Sequence, residues 1–225
     1  DRDVTGVQTC ALPISNSSVY PTVDLLPSHQ DLIFMDLNMA TYQRASLRGN
    51  MIGGDVYKFQ VLDRALEQVR DHYDFVFIDC PPTFNFITLN ALYASNYYLI
   101  PTLLDALSIY GITSIINRVQ EMNEMFSAST SEFEPARLLG IVPNNVREYR
   151  QEPKDSQMIM LERLCGMQGT DVFPLYVTEG DGIPLAAQTG NPVYAITGSS
   201  SKAKRQAEEM LDVLREALKR MTEDV

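Results

Sequence analysis

Residues 73–82 read YDFVFIDCPP, and this stretch decides the predicted fold. Its four consecutive apolar residues, 75–78, are typical of a strand that is buried on both faces of a parallel sheet. Pro81 and Pro82 cannot donate to a sheet ladder, so we expect the strand to end before them. Asp79 is thereby predicted at the carboxyl end of a central strand, where open α/β sheets bind their ligands. The alternative is a strand that simply ends in an Asp-capped turn.

Elements of alternating type surround this stretch. A strand is predicted at 19–26, and apolar residues at helical spacing predict an amphipathic helix at 58–72. Further along the chain, the patterns predict a helix after the prolines, a strand at 97–101, a helix that ends near 126, strands at 137–142 and 171–177, and a terminal helix. The buried stripe of that terminal helix is predicted to be Ala207, Met210, Leu211, Leu214, Leu218 and Met221. The alternation predicts a doubly wound α/β domain with a mostly parallel sheet.

The same part of the chain resembles the ParA/MinD family of partitioning ATPases. That family typically reads YD-apolar-IDCPP, a TLNAL helix, an apolar-IP strand and an acid shortly before a glycine. In this chain those features are residues 73–82, 88–92 and 99–102, and the interval from Asp105 to Gly111. The resemblance covers most of residues 23–218 and is most specific between residues 73 and 119. It implies a P-loop NTPase-like fold.

The resemblance also implies roles for individual residues. Asp79 would be the Walker B aspartate, a catalytic residue that steadies Mg²⁺ through water. Asn144 ends the strand that lies near the adenine in the family, so it is a candidate base contact, with an ordinary turn asparagine as the alternative. Pro174 occupies the proline position of a nucleotide-contacting loop. The family's usual Arg-Asn after that proline is Leu175-Tyr176 here, which puts the contacts of this loop in doubt.

Composition excludes several classes of function. The formal net charge of −11 argues against a protein that coats nucleic acid through net attraction. Three cysteines in unrelated contexts form neither a zinc pattern nor a disulfide framework, so we expect a cytoplasmic location. No apolar run is long enough to span a bilayer. No Ser/His/Asp or Cys/His set suggests a different hydrolase.

The sequence of the first residues indicates that this segment is an artefact. Residues 4–14 (VTGVQTCALPI) resemble a translated sequencing-library adapter, and we expect residues 1–14 to add nothing specific to the core. A natural N-terminal strand is the alternative. Residues 15–225 are then a single partial ParA-like domain. No G-x-x-x-x-G-K-[ST] loop occurs in the chain, so we expect an N-terminal truncation that removes the first strand and the phosphate loop.

The resemblance implies a function for the intact parent protein. ATP and Mg²⁺ would be its cofactors, and ATP hydrolysis would be coupled to homodimerisation and to non-specific DNA binding in plasmid or chromosome partitioning. A partition partner protein would stimulate hydrolysis, and no membrane would be involved. The truncated chain is expected to be inactive. The alternative is a degenerate, nucleotide-free member of the fold that acts as a protein-binding module.

Overall fold

The computed structural model describes residues 15–17, 20–28, 32, 34, 56–196 and 201–223. Two compact units divide the chain. The first comprises Asp1–Asn96 with Met122–Ala136, and the second comprises Tyr97–Glu121 with Arg137–Val225. Among the described helices, none has the length and apolar character needed to cross a membrane. The adapter-like residues 1–14 lie outside the described residues.

The first unit combines a small antiparallel pair with two helices. Strand β1 (Ser15–Ser17) pairs with β2 (Tyr20–Leu25), as the alternating pattern at 19–26 predicts for β2. Helix α1 (Val61–Leu66) is followed by α2 (Phe86–Tyr93), which confirms the helix predicted after the prolines. The first unit also contains the C-terminal part of α3 (Ala106–Ser129), a long helix whose first part belongs to the second unit.

Aromatic rings form the core of the first unit. The Phe126 ring is fully buried, and the ring centroids of Phe59 and Tyr93 each lie 5.0 Å from it. Phe133 lies 5.3 Å from Phe126 and 4.9 Å from Tyr93, and Phe86 stacks on Phe59 at 5.3 Å. These spacings are those of attractive offset and edge-to-face pairs, so rings from four separate segments pack as one cluster.

A single buried asparagine ties α1 to α2. The Oδ1 of Asn90 accepts hydrogen bonds from the backbone N–H groups of Val61 (3.0 Å) and Leu62 (3.3 Å). Its Nδ2 donates to the carbonyls of Lys58 and Phe86, both at 2.8 Å. Two otherwise unpaired N–H groups at the start of α1 are thereby satisfied by a side chain from another helix.

This capping explains why the helix predicted over residues 58–72 is wrong in extent. The structure has a 3₁₀ turn at Val56–Lys58, the six-residue α1, and a second 3₁₀ turn at Arg70–His72. Asn90 fixes where α1 begins. Beyond Leu66 the backbone bonds tighten to the 3₁₀ pattern, while the Arg70 guanidinium reaches back to the carbonyl (3.3 Å) and carboxylate (2.8 Å) of Asp63.

The central strand predicted over the apolar residues 75–78, with Asp79 at its carboxyl end, is also wrong in this structure. Residues 75–80 have no helix or strand conformation, and Phe75, Val76 and Phe77 are 52%, 46% and 75% exposed. Within the described part of the chain, no backbone N–H or C=O of residues 74–80 takes part in a backbone–backbone hydrogen bond. A strand is defined by its pairing, and the described residues place no neighbouring strand beside this apolar segment.

The second unit is built on a parallel strand pair. Strand β3 (Tyr97–Thr102) lies beside β4 (Arg137–Pro143), and α3 connects them. These three elements confirm the strands predicted at 97–101 and 137–142 and the long helix between them. Residues 171–178 flank the other edge of β4, with parallel bridges from Ile141 to Val172 and from Val146 to Thr178. The strand predicted at 171–177 is reduced to these bridges because Pro174 has no N–H to continue a ladder.

Short elements follow β4 in the second unit. The strands β5 (Glu148–Tyr149) and β6 (Glu152–Pro153) form a hairpin that leads into α4 (Asp155–Cys165). Helix α5 (Gly182–Thr189) and the terminal helix α6 (Ser201–Glu223) complete the unit.

A β-bulge in β4 divides the core of the second unit between two faces. Tyr98 pairs with Leu138 but Leu99 pairs with Gly140, so Leu139 is an extra residue in β4. The usual alternation is therefore reset, and Leu139 and Val142 pack on one side with Phe173 and Ala217 of α6. The core cluster on the other side contains Ile100, Leu104, Ile109, Ile112, Ile141, Val146 and Leu164.

Helix α6 is rotated relative to its predicted buried stripe. Ala203, Gln206 and Ala217 are buried, whereas the predicted core residues Met210, Leu211 and Leu214 are 43%, 45% and 39% exposed. Polar contacts account for this rotation. The Nε2 of Gln206 donates to the Thr178 carbonyl (2.7 Å), and its Oε1 accepts from the Gly182 N–H (2.8 Å). A buried carboxamide must be satisfied in this way, so it fixes which face of the helix turns inward.

The other end of α6 is held by Arg220. Its guanidinium carbon lies 4.0 Å from the centre of the Phe173 ring, and Nη1 donates to the Leu139 carbonyl (3.0 Å). Ion pairs to Asp171 (2.9 Å) and Glu216 (3.0 Å) complete its surroundings. The pairing of Glu216 with Arg220 is the i,i+4 contact expected from the sequence.

The first prediction concerns Gly140, which lies under this contact. Its φ of +150° is disfavoured for residues with a Cβ, and an added Cβ would overlap the Phe173 ring and the Arg220 guanidinium. We expect Gly140→Ala to lower the free energy of unfolding by about 2 kcal/mol or more. Urea denaturation followed by circular dichroism measures this difference.

Gly111→Ala is the matched control. A Cβ at Gly111, inside α3, meets no atom within 4 Å. Alanine is the better helix former, so this variant should gain about 1 kcal/mol at most. Equal denaturation midpoints for the two variants would contradict the assignment of Gly140 as a constrained position.

Candidate functional site

Asp79 lies in the first unit, directly after the unpaired apolar segment. Asp79 is exposed, and Pro81 and Pro82 follow it in a turn. The Thr83 N–H donates to the Pro81 carbonyl (2.7 Å) in this turn. Within the described residues, the Asp79 carboxylate has no hydrogen bond and no ion pair. It is therefore free to accept hydrogen bonds from a ligand or from metal-bound water.

The described residues contain no group of three or more His, Cys, Asp or Glu side chains arranged to hold a metal. A lone carboxylate does not make a metal cage. It does fit the chemistry of Mg²⁺, which keeps several waters and is bound through one or two carboxylates together with substrate phosphates. Asp79 is thus suited to a water-mediated contact with Mg²⁺ and unsuited to binding the ion without a phosphate ligand.

Cys80 is the exposed free cysteine that follows Asp79. Partial burial of its sulfur, and then the negative charge of Asp79, raise the pKa of the Cys80 thiol. Since the thiolate is the nucleophilic form, this environment disfavours nucleophilic chemistry at Cys80. The chemistry available at this point of the chain is that of a single free carboxylate.

Asn144 lies in the second unit, immediately after β4. Its backbone N–H donates to the Thr102 carbonyl (2.8 Å), so the ends of β3 and β4 stay joined past their last ladder residues. Its Oδ1 accepts from the N–H of Asn145 (2.9 Å), which has a positive φ of 56°. Asn144 therefore does act as an ordinary turn asparagine, the alternative that the sequence offers. Because only the oxygen of a carboxamide accepts, its Nδ2 group points away from that N–H and is available as a donor.

Pro174 lies at the same edge of the second unit. The chain before it bonds through the Phe173 N–H to the Ile141 carbonyl (2.9 Å), and the chain after it through the Val177 N–H to the Pro143 carbonyl (3.0 Å). Pro174 itself is exposed, in the short stretch between these two hydrogen-bonded residues. The structure thus places Asn144 and Pro174 after neighbouring extended segments, as the sequence predicts.

The acid that precedes Gly111 has a structural role. Asp105 accepts hydrogen bonds from the backbone N–H (2.9 Å) and the hydroxyl (3.0 Å) of Ser108, in the first turn of α3. These bonds, with the backbone one first, hold the pKa of Asp105 below its ordinary value. Asp105 is a helix cap of the common Asp type.

A polar network at the start of α6 was missed by sequence reasoning. Arg205 forms a two-bonded ion pair with Glu148, with both nitrogen–oxygen distances at 2.6 Å. The Tyr176 hydroxyl donates to the same carboxylate (2.9 Å). Arg205 also lies 2.8 Å from Glu209, which accepts from the N–H and hydroxyl of Thr178, both at 2.8 Å to Oε2.

The hydrogen bonds of this network shift the pKa values of Glu148 and Tyr176 in opposite directions. Hydrogen bonding to Arg205 lowers the pKa of Glu148, and burial followed by the bond to Glu148 raises the pKa of Tyr176 to about 12. The i,i+4 spacing of Arg205 and Glu209 is visible in the sequence. The contact between Arg205 and Glu148 joins residues 57 apart, and no local pattern announces it.

The sequence has a small basic cluster, Arg147, Arg150 and Lys154, with Glu148, Glu152 and Asp155 interleaved, and its members do not share one environment. Arg147 is paired with Glu179 (3.2 Å), and the Arg150 guanidinium lies over the Tyr149 ring at 5.2 Å. Lys154 directly precedes the first turn of α4. The ion pair of Arg147 matches the solvated, charge-balanced face that the interleaved acids indicate.

The second prediction concerns Tyr176. A raised pKa means that the folded state favours the protonated phenol, so this stabilisation is complete below pH 10 and is lost as the pH rises towards 12. We expect the ultraviolet difference titration between the wild type and Tyr176→Phe to show a phenol that ionises near pH 12. Glu148→Gln should lower this pKa because it removes the carboxylate that the hydroxyl bonds.

Tyr149→Phe is the control, since Tyr149 is 67% exposed. It should leave the alkaline loss of stability unchanged, whereas Tyr176→Phe should reduce it. Circular dichroism at each pH verifies that the protein is folded. Ionisation of Tyr176 near the ordinary pKa of 10 in the folded protein would contradict the network.

Comparison with known proteins identifies the family. The AAA_31 family model, described as an AAA domain, matches residues 5–131, which is more than half of the chain. The cell division protein PomZ of Myxococcus xanthus is 26% identical over 210 residues, covering 93% of this chain and 58% of PomZ. The sporulation initiation inhibitor protein Soj of Bacillus subtilis is 32% identical over 130 residues, covering 53% of this chain and 51% of Soj.

The solved structure of apo McdA from Cyanothece has the same fold. It superposes with a TM-score of 0.68 at 18% identity and covers 91% of this chain and 71% of McdA. The chain spans little more than half the length of the two curated relatives. The matched range includes part of residues 4–14, and the adapter interpretation stays a prediction. The fold and the family match together confirm the resemblance read from residues 73–82: the chain belongs to the AAA_31 family, is ParA/MinD-like and has a P-loop NTPase-like fold.

Proposed function

We propose that this chain is part of a Mg²⁺-dependent ATPase that acts in plasmid or chromosome partitioning. The observation that carries the proposal is the free carboxylate of Asp79, placed after an apolar run and before two prolines inside the family-matched range. The relatives support it, since they include a cell division protein, a sporulation inhibitor and a chromosome-partitioning ATPase. McdA has also been solved with ATP.

The candidate site residues would have separate roles in binding the metal and the nucleotide. Asp79 would accept hydrogen bonds from water bound to Mg²⁺ and so orient the ion. Bound Mg²⁺ supplies positive charge that offsets the charge developing on the transferred phosphoryl group. Asn144 would donate from Nδ2 to a ring nitrogen of the base. Pro174 would offer an apolar surface to the same base, and the reaction is phosphoryl transfer to water.

The proposal also requires a phosphate-binding loop. The 225 residues contain no G-x-x-x-x-G-K-[ST] loop, and Gly53-Gly54 is followed by Asp55-Val56, which cannot serve. We propose that a strand carrying such a loop pairs with residues 74–80, which make no backbone–backbone hydrogen bond among the described residues. With that strand in place, the apolar run would become the buried central strand that its composition indicates.

Partners follow from the same proposal. Two nucleotide-bound subunits would sandwich ATP, the dimer would bind DNA without sequence preference, and a partition protein would stimulate hydrolysis. The net charge of −11 requires DNA contacts to be local, and Lys202 and Lys204 at the exposed start of α6 are the candidates with Arg147. We expect cytoplasmic action.

A nucleotide-free protein-binding module is the second candidate. The observation that favours it is Leu175-Tyr176, which replaces the family's Arg-Asn, with the Tyr176 hydroxyl already engaged by Glu148. Nucleotide binding by a version that includes a phosphate-loop strand discriminates the two functions. Binding supports the ATPase, and a correctly folded version that does not bind supports the module.

The third prediction is that the 225-residue chain does not bind ATP. One water-mediated contact from Asp79 cannot replace the charge-assisted hydrogen bonds of loop amides and a lysine. Titration with a fluorescent ATP analogue should show no saturable, Mg²⁺-dependent signal, and joining a family phosphate-loop segment ahead of Ser15 should create one. Micromolar Mg²⁺-dependent binding by the unaltered chain would refute the role assigned to the loop.

The fourth prediction tests Asp79 in that extended, nucleotide-binding version. Asp79→Ala should lower ATP turnover by about 10- to 100-fold or more, as expected for loss of a group that orients a metal's ligands. Asp74→Ala is the matched control, because Asp74 is an exposed acid at the opposite end of the same apolar run. If Asp79→Ala has wild-type turnover with Mg²⁺ and DNA present, Asp79 is only a turn residue.

A further inference from the structure

The short loop of residues 174–176, which carries Pro174, is anchored by a side chain rather than by its backbone. Among the described residues, this 174–176 loop makes no backbone–backbone hydrogen bond, whereas the residues on either side of it bond to β4. The Tyr176 hydroxyl donates to the Glu148 carboxylate (2.9 Å), and Pro174 is exposed. The position of the loop relative to β4 therefore depends on where Glu148 is held.

Glu148 is held from the side of α6. Its side chain is only 12% exposed, and each of its two oxygens lies 2.6 Å from a guanidinium nitrogen of Arg205. Arg205 in turn lies 2.8 Å from Glu209, whose carboxylate accepts from the N–H and the hydroxyl of Thr178, each at 2.8 Å. Two-bonded pairs between arginine and a carboxylate fix geometry as well as charge. Because Thr178 lies two residues after Tyr176, these contacts return to the segment that they anchor.

The hairpin of β5 and β6 fixes the backbone of Glu148. The N–H of the preceding residue, Arg147, donates to Oε1 of Gln157 in α4 (2.6 Å). The turn places Arg150 and Gln151 at φ values of 54° and 68°, as the favoured two-residue hairpin turn requires. This left-handed conformation is costly for residues with a Cβ, and it persists only where the surrounding structure holds it in place. The hairpin is thus a stiff support for the Glu148 carboxylate.

The 174–176 loop lies at the edge of the second unit that also carries the other candidate base contact. The Val177 N–H, directly after the loop, donates to the carbonyl of the residue that precedes Asn144 (3.0 Å). The backbone of Asn144 is fixed separately, by its own bond to Thr102 (2.8 Å). A displaced loop would therefore change the distance between Pro174 and Asn144.

We propose that Glu148 is a positioning residue for the candidate nucleobase site, and that it acts through the Tyr176 hydroxyl to hold the 174–176 loop where Pro174 contacts the base. Glu148 itself touches no nucleotide. The inference rests on the proposed function, because Pro174 contacts a base only if the protein binds a nucleotide. It assigns a role to a carboxylate that is 28 residues from Tyr176 in the sequence.

Chymotrypsin digestion of the 225-residue chain tests the anchoring without any nucleotide. Glu148→Ala should raise the rate of cleavage after Leu175 by about tenfold, because the charged acceptor of the Tyr176 hydroxyl is lost. Glu152→Ala is the matched control, since it makes the same change at an exposed residue of the same hairpin, and it should cleave at the wild-type rate. Cleavage after Leu107, an 87% exposed residue in α3, corrects for global unfolding.

Tyr176→Phe shows whether Glu148 acts through the hydroxyl. This variant removes only the donor and leaves the ion pair between Glu148 and Arg205, so it also serves if Glu148→Ala does not fold. It should speed cleavage after Leu175, and the double variant should be no faster than Glu148→Ala alone, because contacts in one network are not additive. Additive effects, or a wild-type rate in Tyr176→Phe, overturn the proposal.

The role in nucleotide binding is tested in the extended version with a phosphate-loop strand. Tyr176→Phe should weaken the binding of ATP and leave the binding of inorganic tripolyphosphate, which has no base, unchanged. If the loop is anchored in only about a tenth of the molecules, the affinity for ATP falls by the same factor. An equal loss for both ligands, or an unchanged affinity for ATP, overturns the proposal.

Failure of the proposed function gives a different result. In that case the extended wild type binds neither ATP nor tripolyphosphate, and the base-positioning role of Glu148 is overturned with it. The digestion of the 225-residue chain does not depend on nucleotide, so it still decides whether Glu148 anchors the 174–176 loop.

Discussion

The second unit depends on the contact between Arg220 and the bulged part of β4. The guanidinium covers the Phe173 ring and bonds the Leu139 carbonyl, and Gly140 leaves room for both groups. The bulge is what turns Leu139 and Val142 to one face and Ile141 to the other, so one strand serves two core clusters. Cationic, aromatic and backbone groups are satisfied together, which holds the end of α6 against β4.

Asn90 has the corresponding role in the first unit. Its carboxamide uses both the acceptor and the donors to join the start of α1, the Lys58 carbonyl and α2, while aromatic rings fill the space beside it. In each unit, then, a polar side chain surrounded by apolar groups sets where a helix begins or which face it buries. A buried polar group of this kind is costly when unpaired, and it therefore specifies position more sharply than apolar packing does.

These polar contacts explain which parts of the fold could be predicted from the sequence. Helices α2 and α3 and strands β3 and β4 were predicted correctly, because local apolar periodicity and a neighbour nearby in the chain define them. The extent of the helix at 58–72 and the buried stripe of α6 were predicted wrongly, because Asn90 and Gln206 decide them through contacts with residues 29 and 24 positions away. The bulge at Leu139 has no signal in a pattern of period two.

The candidate site shows the same division. Asn144 and Pro174 follow strand-like segments that bond to neighbours within their own unit, so their positions could be predicted. Asp79 follows a segment whose apolar residues require other elements to pack on both faces. The composition of the segment predicts this burial, but it does not identify the elements that pack there. The unmet requirement leaves Phe75, Val76 and Phe77 exposed. This segment therefore supports the proposal of a catalytic strand that a phosphate-loop neighbour completes, because such a neighbour would supply the backbone hydrogen bonds and the apolar cover that the segment needs.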